Sequence, residues 1–337
     1  MIIVMNPLAA GGSSVRKWKQ IEHLVHSITP SPGTFLLNGK ASTERFIRNS
    51  LHAGETQFVA AGGDGTVNTL LNDLLSIATP EQRMKVQFGA IGLGSSNDFH
   101  KPYEPAGLIG GIPSKANFRD TALRDVGCVS FERAGGFVTR YFLVNASVGV
   151  TAEANLLFNT PGRFLNMMKR AYTPAAILFA ALRTICSYRN IRMTLHKPGF
   201  PERDLQLTNL AILKSPHVSG SLCYDASIPL DNGLLRAYLC SGMSKLELFR
   251  MLWSLSGGSF HPGGAGHASG IAGDGHAGEA TGHKPAPGTT PNIESFGLTS
   301  MIVSSSKPFA VEYDGEVVST RFAQFSVLPR YLQVCRS

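Results

Sequence analysis

The stretch that decides the fold of the first part of this chain reads QFVAAGGDGT and runs from Gln57 to Thr66. Residues 57–61 form a short apolar run typical of a buried strand, and a glycine-rich loop around one carboxylate follows them. Beyond the loop, apolar side chains recur at helical spacing: Val67, Leu70, Leu71, Leu74 and Leu75. The stretch therefore predicts a strand, a tight turn and a helix, which is the repeating unit of a parallel α/β sheet.

The same strand-and-helix rhythm continues on both sides of this unit. Apolar runs at 2–5, 34–37 and 86–91 predict further strands, and the amphipathic segments between them predict helices. Repeated βα units predict a parallel sheet that binds its ligands at the carboxyl ends of the strands. We therefore predict an α/β domain over residues 1–125.

Three loops rich in Gly, Ser and Asn leave this edge of the predicted sheet. They are Asn6-Pro7 with Gly11-Gly12, then Gly62–Thr66, then Gly92–Phe99. Glycines let backbone N–H groups approach a phosphate closely, and a helix N-terminus adds a favourable partial charge. Neither a G-x-x-x-x-G-K-[ST] loop nor a G-x-G-x-x-G fingerprint occurs. The three loops together predict a phosphate-handling site of another kind.

Asp64 is unusual in such a loop because a carboxylate would repel a phosphate. Its presence is explained if Mg²⁺ lies between the two groups, or if Asp64 handles a proton. The alternative is an ordinary βα turn in which Asp64 caps the following helix.

After about residue 125 the pattern changes to strands joined by turns. Only 173–188 and 245–255 are convincing helices, so residues 126–318 predict a β-rich domain built as an antiparallel sheet or sandwich. Within it, residues 257–292 hold eleven glycines and four prolines. Such a segment buries too little apolar surface to offset its ordering entropy, and we predict a flexible surface insertion.

Composition narrows the possible partners and compartment. The formal charge of +8 fits an anionic partner, either nucleotide phosphate, nucleic acid or an acidic membrane. The five cysteines form no C-x-x-C pair, which argues against a disulfide framework or a zinc site. The N-terminus lacks the basic region of a signal peptide, and the longest apolar run, 175–182, falls short of the ~20 residues that span a bilayer. We expect a cytoplasmic protein that is soluble or reversibly membrane-associated.

Residues 154–201 carry seven Lys and Arg side chains and no Asp or Glu. Aromatic and methionine side chains are interleaved with them. A core helix with a solvated basic face is one interpretation. The other is a surface that docks on an anionic membrane.

In their order and spacing, these motifs resemble the diacylglycerol kinase catalytic-domain family. That family includes diacylglycerol, sphingosine and ceramide kinases and has distant NAD-kinase relatives. The resemblance covers nearly the whole chain apart from residues 257–292. It rests on Asn6-Pro7, Gly62–Thr66 with Asn68, Gly94–Phe99, Asn145–Gly149, Asp231–Leu234 and Asp314-Gly315-Glu316.

The resemblance implies a lipid kinase that transfers the γ-phosphate of ATP to a hydroxyl of a diacylglycerol-like or sphingoid lipid, in a cleft between the two domains. It also implies that segment 319–337 returns to the first domain. Glu316 matches the proton acceptor, Asp314 supports it or the metal, and Asp64 helps to organise Mg-ATP or is itself the base. The implied nucleotide-binding positions are Asn6, Pro7, Gly11, Asn38, Gly62, Gly63, Asp64, Gly65, Thr66, Asn68, Gly94, Ser95 and Asn97.

The resemblance further implies a structural Mg²⁺ site at Asp231, Asn232 and Leu234, but three positions depart from the family pattern. Asn38 falls near a threonine that contacts ATP in bacterial relatives. Ser95-Ser96 replaces Thr-Gly and keeps the hydroxyl at 95. Asn232 replaces an aspartate, so the metal site is expected to be weaker or lost unless Asp231 substitutes.

Two other functions stay open on the sequence alone. An NAD-kinase-like enzyme would share the Gly-Gly-Asp-Gly-Thr loop, and a regulator that has lost catalysis would still bind lipid or nucleotide. A nucleic-acid partner is not expected, because it would explain the charge but not the three loops.

Overall fold

The computed structural model describes residues 1–28, 32–160, 162, 165, 167–168, 172–260 and 292–336. The helices in these ranges are α1 (Ser14–Ile28), α2 (Lys40–His52), α3 (Asp64–Ile77), α4 (Pro80–Lys85), α5 (Val150–Asn159), α6 (Thr173–Ser187) and α7 (Lys245–Ser256). None of these helices is long and apolar enough to cross a membrane. Arg163, Lys169 and Arg170 of the predicted docking stretch lie outside the described residues, as does most of the predicted insertion.

The strands of the first half are β1 (Ile2–Met5), β2 (Gly33–Leu36), β3 (Gln57–Gly62), β4 (Gln87–Gly92), β5 (Leu108–Ile109) and β6 (Ile112–Lys115). The strands that follow are β7 (Thr121–Arg133), β8 (Gly136–Phe142), β9 (Asn145–Gly149), β10 (Ile191–His196), β11 (Arg203–Leu213), β12 (His217–Val218), β13 (Leu222–Cys223), β14 (Leu235–Ser241), β15 (Asn292–Leu298), β16 (Ser300–Tyr313) and β17 (Glu316–Cys335).

The N-terminal strands form a parallel sheet in the order β2-β1-β3-β4. Successive side chains of a strand point to opposite faces, and here both faces are buried. Phe58 joins the core on one face, and Val59 joins the core on the other. Helices cover both faces, which explains the continuous apolar runs of these strands.

The second half is built mainly of antiparallel strands around one apolar core. Its side chains come from strands β7 to β11 and β14 to β17, and include Phe131, Leu210 and Phe325. A second cluster packs α6 and α7 against the sheet through residues such as Ile185, Met251 and Leu255. The N-terminus of α7 carries a capping box formed by Ser244 and Glu247.

Strand β17 joins the two halves. It pairs antiparallel with β16 and β7, and its end pairs in parallel with β4 through Gln333 and Val334. As a result, 15 of the 17 strands given above belong to one hydrogen-bonded sheet that runs through both halves, and β12 and β13 form a separate pair. The sequence suggested a separate sheet for each half. The proposed limit at residue 125 falls inside β7, so the domain limits stay a prediction.

Two local features differ from the sequence-based expectations. Helix α5 was not predicted, because the buried strand β9 runs into it through Gly149, with φ of 99°, and no polar loop separates them. Phe260 was assigned to the insertion, yet its side chain is buried among aromatic rings, 5.5 Å from the ring centroid of Tyr224.

Candidate active site

The three predicted loops meet at the carboxyl ends of β1, β3 and β4. The Asn6 side-chain amide donates to Oγ1 of Thr66 at 3.1 Å, and the Gly94 N–H donates to the carbonyl of Gly62 at 3.1 Å. A Cβ on Gly94 would lie 2.4 Å from Cα of Gly63, so these two loops can touch only because both positions lack side chains.

A cavity of about 880 Å³ opens beside these loops. The predicted residues that line it are Asn6, Gly63, Asp64, Gly65, Thr66, Gly94, Ser95, Asp314 and Glu316. Other predicted positions stand behind the cavity wall or away from it: Pro7, Gly11, Asn38, Gly62, Asn68 and Asn97.

Several of these other positions support the loops. The Asn97 amide donates to the carbonyl of Gly92 at 3.1 Å and accepts the Gly94 N–H at 3.1 Å. A Cβ on Gly62 would lie 2.2 Å from Oγ1 of Thr66, which requires glycine there. Asn38, in contrast, is exposed beyond the end of β2 and accepts a hydrogen bond from Ser42.

Asp64 begins α3 and faces the cavity with a buried carboxyl group. Its Oδ1 accepts the backbone N–H of Phe99 at 3.1 Å. Burial, and next the nearby carboxylate of Asp98, raise the pKa of Asp64 to about 6. Asp98 has its own cation, because Lys101 Nζ lies 2.7 Å from its Oδ1. No ion pair to Asp64 occurs in the part of the chain that the structure describes.

Asp314 ties the turn between β16 and β17 to the segment before β9. Its carboxylate accepts the backbone N–H groups of Leu143, Val144 and Asn145 at 2.9–3.0 Å. Burial raises the pKa of Asp314, and these donors oppose that shift. Because its oxygens are engaged by backbone groups, Asp314 holds the turn in place rather than presenting a free carboxylate.

Glu316 follows directly on that turn and is exposed at the cavity. Gly315, with φ of 90°, reverses the chain before it, and the Asn159 amide donates to the Gly315 carbonyl at 2.8 Å. Glu316 therefore presents its carboxylate to the cavity from a fixed turn.

The sequence analysis missed Glu312, which also lines the cavity. Its carboxyl group is buried, and accepts from the Asn145 amide at 2.9 Å, the Ser147 hydroxyl at 2.7 Å and the Gly315 N–H at 2.7 Å. Burial is the main cause that raises its pKa to about 8. An acidic residue within the apolar run from Phe309 to Tyr313 was the signal available in the sequence.

The far side of the same cavity is apolar. Its wall consists of residues from α5, α6 and α7, among them Val150, Phe158, Ile177, Ala181, Ile185, Leu248, Met251 and Leu255. The polar loops and this apolar wall thus border one continuous space.

The predicted metal positions lie apart from this cavity. The Leu234 carbonyl accepts from Nζ of Lys214 at 3.0 Å, and Oδ1 of Asn232 accepts the N–H of Leu234 at 3.1 Å. The Asp231 side chain is exposed. In the ranges that the structure describes, no cluster of three or more His, Cys, Asp or Glu side chains is arranged to hold a metal ion.

The three loops and the carboxyl group of Asp64 thus lie together at the carboxyl edge of the parallel sheet. Residues 1–116 match the family model of the diacylglycerol kinase catalytic domain. The family resemblance noted from the sequence is thereby confirmed for the first third of the chain.

Individual relatives are distant. A probable lipid kinase YegS-like protein of Chromohalobacter salexigens is 25% identical over 215 residues, which are 62% of this chain and 61% of that protein. Sphingoid long-chain bases kinase 1 of Arabidopsis thaliana is 22% identical over 99 residues, 29% of this chain and 13% of that protein. The matched regions thus span less than two thirds of either relative.

Solved structures share the fold over the whole chain. A Bacillus anthracis str. Sterne crystal structure has a TM-score of 0.68 at 14% identity, with 100% of this chain and 94% of that chain covered. A diacylglycerol kinase structure from the same strain has a TM-score of 0.60 at 12% identity, with coverage of 100% and 96%. These neighbours show an N-terminal α/β part followed by a β-rich part.

Proposed function

We propose that this protein is an ATP-dependent lipid kinase that transfers the γ-phosphate of ATP to a hydroxyl of a diacylglycerol-like or sphingoid lipid. The observation that carries the proposal is the continuity of one cavity, with glycine-rich phosphate-type loops at one side and an apolar wall from three helices at the other. The polar phosphates of ATP would contact the loops, and the apolar chain of the acceptor lipid would contact the helices.

In this proposal the nucleotide phosphates lie along the loops that contain Gly63–Thr66, Gly94 and Ser95. Backbone N–H groups of these loops and the N-terminus of α3 would bind and orient the phosphates. The same proposal assigns residues 1–125 to an NAD-kinase-like domain that binds the nucleotide. It assigns residues 126–318 to a domain that binds the lipid.

The chemistry of Asp64 fits a divalent cation. It is a buried carboxylate next to phosphate loops, its pKa is raised to about 6, and a bound cation would reverse that shift. Asp64 would hold Mg²⁺, and a bound Mg²⁺ would neutralise part of the phosphate charge.

Glu316 is proposed as the acceptor of the lipid hydroxyl proton. It is the exposed carboxylate of the cavity, and the Asp314 contacts fix the turn that carries it. A base positioned within reach of the hydroxyl typically contributes about 10²–10⁴-fold to such a step.

The test is a radiolabelled ATP assay with purified protein against diacylglycerol, sphingosine, ceramide and NAD. Label transfer to a lipid, lost in Asp64→Asn, is expected. Transfer to NAD with no lipid product would instead favour the small-molecule kinase. Binding of ATP and lipid with no transfer to any acceptor would favour a regulator.

We also propose reversible docking on anionic membranes, because the acceptor lipid resides in a bilayer and the chain is basic. Large apolar side chains are exposed on α6 and α7, two of the three helices that wall the cavity: Leu178, Leu182, Leu246, Phe249 and Trp253. They support a docking face beside the apolar side of the cavity.

A further inference from the structure

The loop at residues 229–234, which precedes β14, is where the family resemblance implies a structural Mg²⁺. Such an ion is held by converging carboxylate and carbonyl oxygens. The side chains at the implied positions do not converge here: Asp231 is exposed, and the Asn232 oxygen accepts the N–H of Leu234 at 3.1 Å. The residues present therefore do not fit a metal ion at this loop.

The ammonium group of Lys214 contacts the oxygens that remain at this loop. Nζ of Lys214 donates to Oδ2 of Asp125 at 2.8 Å, to the carbonyl of Pro229 at 2.8 Å and to the carbonyl of Leu234 at 3.0 Å. An ammonium group has three donors, and all three are used. The Lys214 side chain is only 1% exposed, and that of Asp125 is 0% exposed.

Asp125 connects this ammonium group to the rest of the fold. Its Oδ2 also accepts the N–H of Gly233 at 2.8 Å, and its Oδ1 accepts the N–H of Arg330 at 2.8 Å. The Asp125 N–H in turn donates to the carbonyl of Leu230 at 2.8 Å. One buried ion pair thus joins β7, the end of β11, the loop before β14 and strand β17.

We infer that the ammonium group of Lys214 is a built-in cation that takes the place of a structural metal ion in this loop. Two backbone carbonyls and one carboxylate around a positive charge form the kind of oxygen set that a divalent ion would use. Because Lys214 is covalently part of the chain, the loop needs no metal for its order. A divalent ion could enter only if it displaced a buried and fully hydrogen-bonded ammonium group.

The first experiment uses full-length protein with Asp64→Asn and without ATP, so that Mg²⁺ held by Asp64 does not contribute. Thermal unfolding is followed in EDTA and in MgCl₂, and bound metal is measured by mass spectrometry after dialysis. We expect the same Tm in both solutions and no stoichiometric divalent metal. A Tm that falls in EDTA, or one equivalent of metal that survives dialysis, would overturn the inference.

The second experiment removes the cation. Lys214→Ala leaves the Asp125 charge buried without a partner, so Tm should fall by more than about 5 °C. MgCl₂ or CaCl₂ should recover part of this loss, because the vacated oxygen set then accepts an external cation. In Lys214→Ala with Asp125→Asn, that recovery should disappear.

Lys85→Ala is the matched control, since Lys85 is exposed on the short helix α4. Its Tm should equal that of the parent and show no metal response. An unchanged Tm in Lys214→Ala, or a loss that neither cation reduces, would contradict the role of Lys214. If Lys214→Ala does not fold, the chelation and metal-content results on the Asp64→Asn protein still decide the question.

Discussion

The Asn68 side-chain amide lies 3.3 Å from Oδ2 of Asp314, although 246 positions separate the two residues. Asn68 stands on the helix that begins at Asp64, and Asp314 stands on the turn that presents Glu316. The contact therefore links the phosphate-loop helix to the turn that carries the proposed base. Each of the two residues also bonds to the segment before β9, through Tyr141 and Leu143.

Asp314→Asn should destabilise the protein and lower turnover. One of its oxygens would become an NH₂ group that faces backbone N–H donors, at a cost of roughly 1–3 kcal/mol for the unsatisfied groups. Urea unfolding gives the free energy, and the transfer assay gives the rate. Asp120→Asn is the control, because the Asp120 side chain forms an exposed ion pair with Arg336 at 3.8 Å. Equal stability of the two variants would contradict the bracing role of Asp314.

Asp64→Asn should abolish or nearly abolish phosphoryl transfer and yet unfold at a higher temperature than the parent in metal-free buffer above pH 7. The pKa of Asp64 is raised from 3.8 to about 6 in the folded protein, so the unfolded chain loses this proton at lower pH. Stability due to this group is therefore present at low pH and is lost as pH rises through about 6. Asp64→Asn removes this loss of folding stability, which is on the order of 1–3 kcal/mol.

The measurement is the Tm of parent and Asp64→Asn at pH 4 and pH 8, without nucleotide or metal. We expect the difference between the two proteins to grow with pH. Near-parent turnover in Asp64→Asn, or a lower Tm at pH 8 than the parent, would remove the argument for a buried carboxylate that holds a cation.

Glu316→Gln should cut kcat by about 10²-fold or more and leave ATP affinity nearly unchanged, as expected for a base used at the chemical step. Glu312→Gln is the matched comparison, since Glu312 is buried and its oxygens accept hydrogen bonds from Asn145, Ser147 and Gly315. An amide NH₂ there would face one of these donors, so Glu312→Gln should lower stability, but it should reduce kcat less than Glu316→Gln does. A larger loss in Glu312→Gln than in Glu316→Gln would reverse the assignment.

The fold of the first part of the chain could be predicted because local pattern determines it. Apolar runs and Gly-rich turns give β1, β3 and β4 within a residue, and helical spacing predicts α3, although α3 begins at Asp64, inside the predicted loop. The meeting of the three loops followed from the rule that ligands bind at the carboxyl ends of parallel strands. Residues 1–116 match the model of the family that the motifs indicated.

Features set by distant contacts could not be predicted. The hydrogen bonds of Asp314 to Leu143 and Val144, and of Lys214 to Asp125, join positions that no local pattern relates. The burial of Glu312 depends on the pairing of β9 with β16. The roles of the individual site residues stay predictions.

Phe260→Ala should destabilise the protein by about 3–5 kcal/mol, because it removes a buried ring from a cluster with Tyr224 and Tyr238. The sequence had placed Phe260 in a loop of little structural importance. Chemical unfolding is the measurement, and Phe137→Ala is the control because Phe137 is 68% exposed. An unchanged free energy of unfolding in Phe260→Ala would contradict the packed position of this ring.

Deletion of residues 263–289, which spares Phe260, should leave the free energy of unfolding nearly unchanged if that glycine-rich segment makes few packed contacts.

The last prediction concerns membrane docking through Trp253, which is 83% exposed on α7. The chain has two tryptophans, and the other, Trp18, is buried. In Trp18→Phe the fluorescence therefore reports Trp253 alone, and its emission should shift to shorter wavelength when anionic vesicles are added.

Trp253→Ala should lower vesicle binding and activity on vesicle-borne lipid, whereas activity on detergent-dispersed lipid should be largely spared. The physical reason is that an exposed aromatic ring inserts into the interfacial region of a bilayer, next to the apolar wall of the cavity. Met84→Ala is the matched control, since Met84 is 78% exposed on α4, in the other half of the chain. Equal sedimentation of Trp253→Ala and the parent with anionic vesicles, at low and moderate salt, would show that this helix face does not dock.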